Sequence, residues 1–233
     1  MTMCAYSQQT QHGFTLVEMA MVLMIVGLLL GGLVPTISAQ MENQRTSETR
    51  RQMSEIREAL IGFAVIHGVF PCPADGTIAT GQADAGIEKS SCVSGANGGV
   101  LPWVTLGVKE TDAWGRRFTY RVTPTFADDA SPFQLGSSPN LDVGLTTSSS
   151  DKNVAGDVPA IIVSHGLNGL GAYTSEGGAP PSTASGDEAD NAPTDNNNHF
   201  TSHDFVQSGF DDIVDWISPN TLMSRMVAAG KLP

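Results

Sequence analysis

Residues Phe14 to Val34 form a 21-residue apolar run, interrupted only by Thr15, Glu18 and a few Gly. At about 1.5 Å of rise per helical residue such a run reaches about 31 Å, the depth of a bilayer core. Three readings compete for it: a cleaved secretory signal, a permanent anchor, or the N-terminal helix of a filament subunit. A signal peptidase site would fall at Ile37-Ser38-Ala39, before Gln40. The Ile there departs from the small-x-small pattern, and no Lys or Arg precedes the run.

Glu18 separates the readings. A carboxylate inside an apolar span costs about 2.5–3.5 kcal/mol on insertion scales, and a plain anchor has no use for it. In lipid it needs a partner or a proton. An α-amino group is a suitable partner, with an ordinary pKa of about 7.7–8.0. A cut after Gly13 would create one on Phe14, one helical turn from Glu18. The same group on a neighbouring chain, shifted along the axis, would satisfy two costly charges and set the register of an assembly.

Gly13-Phe14-Thr15-Leu16-Val17-Glu18, followed by the apolar run, resembles the cleavage and methylation signature of type IV pilins and type II secretion pseudopilins. The resemblance implies that prepilin peptidase cuts between Gly13 and Phe14 and methylates the Phe14 amine. It implies that Glu18 is the assembly glutamate. Residues 1–13 become a leader, 14–34 the membrane and filament-core helix, 35–67 the rest of a stem, and 68–233 a periplasmic globular domain. The implied fold is α+β: a long N-terminal membrane-spanning helix packed on a small antiparallel sheet, with a short C-terminal helix. Implied partners are other pilin or pseudopilin subunits, prepilin peptidase and an inner-membrane assembly platform. The chain would sit in a bacterial inner membrane in a single pass before entering a periplasmic or surface filament. Alternatives are an adhesin-like minor pilin binding a surface ligand, or a soluble secreted protein with a conventional signal.

The stem is legible as a helix. Met53, Ile56, Leu60 and Phe63 recur as an apolar stripe. Glu42, Arg45, Glu48, Arg51, Glu55 and Arg57 occupy the other faces. The pattern predicts one helix to about His67, stopped by Gly68 and Pro71. Gly31, Gly32 and Pro35 predict a kinked or locally melted stretch within it. His67 reads as a helix C-terminal residue that favours the dipole rather than as a ligand.

Beyond the stem, Cys72 and Cys92 are expected to form a disulfide in an oxidising compartment, whereas Cys4 falls in the leader. Arg117 to Val122, Val158 to Val163 and Asp212 to Trp216 read as strands. Ser218 reads as an N-cap with Pro219 at the first helical position and Gly230 after the last turn. Asp112-Ala113-Trp114-Gly115 resembles the Asp-Pro-Trp-Gly motif of the major pseudopilin, and Asp211-Asp212-Ile213-Val214-Asp215-Trp216 its terminal strand. In that protein the loop before this strand holds calcium. The matching region, within a long acidic segment at about 172–210, contains Asp187, Glu188, Asp190, Asp195, Asn196, Asn198 and Asp204. Asp187, Asp190 and Asp195 are the calcium candidates; no other cofactor is expected.

The chain carries 24 acids against 12 Lys and Arg, a formal charge of −12, which argues against nucleic acid as a partner. From Val122 to Ser224 the only Lys or Arg is Lys152. Ser164-His165 lacks a Gly-x-Ser-x-Gly elbow. His199 and His203 lack the Glu of a zinc-protease helix. No catalytic role is expected.

Overall fold

The computed structural model describes residues 13–92, 98–148, 151–178, 186–193, 198–206 and 209–232; of residues 32–36 it describes the helical backbone only. The expected leader therefore lies, apart from Gly13, outside the described residues. The chain divides into two compact units, Met1–Gln44 and Arg45–Pro233.

Helix α1, Leu16–His67, contributes to both. It is unbroken through Pro35, so the locally melted alternative is not what forms. Gly68, at φ +84°, ends it, and its N–H donates to the Ala64 carbonyl. A left-handed residue after the last turn satisfies carbonyls that would otherwise be orphaned. Among the described residues no helix is long and apolar enough to cross a membrane. The run expected to do so ends at 32–34, whose side chains lie outside the described residues.

In the first unit Phe14, Leu16, Val17, Met19 and every large apolar residue from Met21 to Leu30 is exposed, between 43% and 87%. In the second unit the stripe of α1 is buried: Met53, Ile56 and Leu60. The buried row then continues to Ala64 rather than to Phe63. Phe63 is half-buried and stacks on His67. Spacings of three, four and four keep Met53, Ile56, Leu60 and Ala64 on one side, and Phe63 falls off that line.

Seven strands follow: β1 (Gly98–Val100), β2 (Thr119–Val122), β3 (Leu141–Gly144), β4 (Ala155–Val158), β5 (Ala160–Ser164), β6 (His199–Thr201) and β7 (Ile213–Trp216). Helix α2 (Trp103–Leu106) follows β1, and α3 (Pro219–Ala228) closes the chain. One sheet is antiparallel in the order β1-β2-β5-β7. A second sheet, β4-β3-β6, was not foreseen, and its β3–β6 pair is parallel. The apolar run 158–163 is not one strand. Val158 ends β4 and Ala160 begins β5, with Pro159 between them. Proline cannot donate to a ladder, so the chain changes sheet there.

Strand β5 is buried throughout. Ala160 and Ile162 join α1, Tyr120, Ile217 and α3 in one core. Ile161 and Val163 join Leu141, Val143, Val158 and Phe200 in a second. Alternation along a strand thus places β5 between a helical layer and a second sheet. Ser218 does take the N-cap position of α3, with Pro219 next, but its side chain makes no capping hydrogen bond.

The Cys72–Cys92 disulfide is present, across 20 residues of sequence. Inside the loop it closes, Ala74 bridges Glu88 and Val100. Replacing both cysteines by Ser is expected to cost about 3 kcal/mol, the loop-closure entropy for that length. Urea unfolding of the oxidised, reduced and Ser variants checks this.

Candidate functional site

Two places hold functional groups. The first is the start of α1. Gly13 and Phe14 precede the helix, and Thr15 caps it: Thr15 Oγ1 accepts from the Glu18 N–H at 3.2 Å. Thr15 and Glu18 therefore occupy the first and fourth places of a capping-box sequence. This local role of Thr15 was not read from the sequence, although the Thr-x-x-Glu spacing announces it. Glu18 lies in the first turn, where the helix dipole favours a carboxylate. Gly13, Phe14 and Glu18 are all exposed. From Phe14 to Leu30 the large apolar side chains are exposed around the start of α1. An isolated helix that is apolar all round has to be covered by something apolar.

The second place lies in the globular unit. The turn after β5, the 3₁₀ turn Gly186–Asn191 and the start of β7 meet there. Glu188, Asp211 and Asp212 each bring one carboxylate oxygen within 4.8 Å of the other two. Asn168 holds the group together: its Nδ2 donates to both Glu188 oxygens at 2.9 and 3.1 Å, and its backbone N–H donates to Asp211 Oδ2 at 2.8 Å. Asn191 Nδ2 donates to Asp212 Oδ2 at 2.8 Å. Gly166, at φ +54°, lets the turn approach, since a Cβ there would lie 2.4 Å from the Asp211 carbonyl oxygen. Burial pushes Asp211 up to about 6 and Asp212 well above the usual carboxylate range. Neighbouring carboxylates add to both shifts.

The calcium candidates are placed differently. Asp187 Oδ2 pairs with His203 Nε2 at 3.1 Å. Asp190 Oδ2 accepts from Thr201 Oγ1. Asp195 lies outside the described residues. Neither Asp187 nor Asp190 belongs to the carboxylate group. Glu188 does; Asp211 and Asp212 sit in a stretch that reads as part of a strand, and the strand begins only at Ile213, which leaves both carboxylates for the group.

Ser164, His165, Asp112 and His199 are engaged in structural contacts. Ser164 Oγ donates to Asp112 Oδ2 at 2.6 Å, whereas His165 Nε2 meets Thr119 Oγ1 at 2.7 Å. The adjacent Ser and His are both buried and serve different partners. Asp112 Oδ1 also accepts from the Trp114 and Arg116 N–H groups, so Asp112-Ala113-Trp114-Gly115 is a turn pinned to β5. His199 Nε2 meets the Thr146 carbonyl.

Residues 8–34 match the family described as the prokaryotic N-terminal methylation motif. The chain carries the type IV pilin and pseudopilin signature. No curated protein and no solved structure gives a significant match. The signature covers Gly13, Phe14 and Glu18, the residues exposed at the start of α1. In general such a signature goes with processing by prepilin peptidase, assembly with other pilin subunits and a membrane-anchored structural role.

Proposed function

We propose that this protein is a structural subunit of a type II secretion pseudopilus or a type IV pilus-like filament. The supporting observation is the coincidence of the methylation signature with a stretch, Phe14 to Leu30, whose large apolar side chains are exposed. Thirteen such side chains lie between Phe14 and Leu30. Covering them is worth about 1.5–3 kcal/mol each. Lipid covers them in the precursor, where 14–34 spans the inner membrane, and neighbouring stems cover them in the filament. An inner-membrane platform moves the subunit from one to the other.

In this reading prepilin peptidase cuts after Gly13 and methylates Phe14. Glu18 then pairs with the Phe14 amine of a neighbouring subunit. The disulfide supports an oxidising location for residues 68–233. The test is the intact mass and N-terminal sequence of the protein from its native membrane. N-methyl-Phe14 is the expected start. A start at Gln40 would sink the filament reading and leave a secreted domain.

A further inference from the structure

A sheet edge without a partner exposes a row of N–H and C=O groups, and folded proteins normally blunt it. Among the described residues the two sheets have four outer edges, at β1, β7, β4 and β6. Three are closed by identifiable means. Along β1, Ala74 exchanges two backbone hydrogen bonds with Val100, at 2.8 and 3.2 Å. Along β6, the Asn191 side chain bonds the Thr201 N–H and carbonyl at 3.0 and 2.9 Å. Along β4, the register with β3 shifts between Leu141 and Val143 and Asp157 stands at φ +54°, a bulge that bends the edge out of line.

The fourth edge, β7, is left open in its middle. The Ile217 N–H donates to the Ala160 carbonyl at 3.0 Å. Facing pairs of an antiparallel ladder alternate between bonded and non-bonded. The bonded ones are thus Ala160–Ile217, Ile162–Asp215 and Ser164–Ile213, and Val214 and Trp216 turn their N–H and C=O groups outward. The Trp216 N–H is taken by Asp215 Oδ1 at 2.9 Å, and Arg57 holds that carboxylate. At Val214 no described residue meets the outward groups. The strand is half-buried along its length, and cavities adjoin it at both ends. One, of about 410 Å³, is lined by Leu145, Ile213, Val214 and, from α1, Arg50. The other, of about 340 Å³, is lined by Trp216 and, from α1, Ile61.

We propose that the outer edge of β7 accepts an extended, basic segment of another protein, which adds to the first sheet as a fifth strand. In such augmentation main-chain hydrogen bonds supply affinity and pockets for alternate side chains supply selectivity. Here Val214 offers the main-chain groups and the two cavities take apolar side chains. Arg50 and the exposed Asp204 both line the first cavity, so the local charges offset each other. The sign of the partner follows from the whole domain: residues 68–233 carry 19 acids against 8 Lys and Arg. That field draws in a basic segment and repels a second copy of this chain. The proposal does not rest on the filament reading.

The experiment uses the full chain in detergent and follows hydrogen exchange at the Val214 amide. The probe is a short capped peptide of alternating Lys and Val. In the free chain Val214 should exchange faster than its neighbours Ile213 and Asp215, which are bonded to β5. The peptide should slow it at least about tenfold. The same peptide with Glu in place of Lys, or with alternate amides N-methylated, should not. Val214→Pro removes the outward donor at a place where an edge strand tolerates proline, and should abolish binding without lowering Tm. If that variant fails to fold, the N-methylated peptide decides. The proposal is overturned by a Val214 amide already slow in the free chain, by no protection from the Lys peptide, or by equal protection from either control. Protection that grows with protein concentration alone would make a second copy the occupant and overturn it too.

Discussion

Arg117→Met is expected to destabilise the globular unit by about 3–5 kcal/mol, the cost of removing one partner from a buried charge pair. The Arg117 side chain is fully buried, and Glu110 is 18% exposed. Its Nε donates to Glu110 Oε1 at 2.9 Å, and its other nitrogens donate to the Gly76 and Ile78 carbonyls and to Thr80 Oγ1. The guanidinium lies 4.6 Å from the centre of the Trp103 ring. Met preserves much of the stem packing but supplies no donor. It leaves Glu110 with only the Thr80 hydroxyl and strands two carbonyls. Since a typical domain is stable by about 5–15 kcal/mol, the loss is a large share of the total. Urea unfolding followed through Trp fluorescence measures it. Adding Glu110→Gln should recover part of the loss, because the unpaired charge is then gone. A double variant no more stable than Arg117→Met would show that the carbonyl contacts carry the effect.

Glu18→Ala is expected to produce a subunit that is cut and methylated normally yet is at least tenfold depleted in filaments. The two halves of this expectation have opposite energetic signs. Removing the carboxylate from the apolar run relieves about 2.5–3.5 kcal/mol of insertion cost, so the variant should remain in the membrane at least as well as the parent. What it loses is the charge proposed to meet a neighbour's Phe14 amine. The Glu18 N–H still donates to Thr15, so the start of α1 should be undisturbed. Comparing the sheared or extracted filament fraction with the membrane fraction separates the outcomes. Equal incorporation of Glu18→Ala would leave Glu18 without an assembly role.

The two ends of the molecule were unequally legible. Gly13 to Glu18 is a local signal, complete within six residues, and the α1 stripe is a periodic one. Both survive without knowledge of the rest of the fold. The second sheet did not announce itself, because β3, β4 and β6 are three or four residues long. Pairs such as Val143 with Phe200 are brought together only by tertiary packing. Pro159 was the available sign that 158–163 is two strands. The group at Glu188, Asp211 and Asp212 draws on two distant segments and is held by Asn168 from a third. Acid counting found the neighbourhood but favoured Asp187 and Asp190, whose side chains turn to His203 and Thr201 instead.

The pairing of β5 with β7 has a consequence for how the chain is made. Residues 161–164 wait for 213–216 to supply their outer neighbour. Until residues 213–228 emerge, β5 has one open edge and an apolar face that α3 has yet to help cover. Such an edge is a template for mispairing with other chains. A nascent or prematurely terminated subunit ending before Ile213 is therefore the form most prone to aggregate. Closure of the sheet waits on residues 213–216, whichever segment follows them.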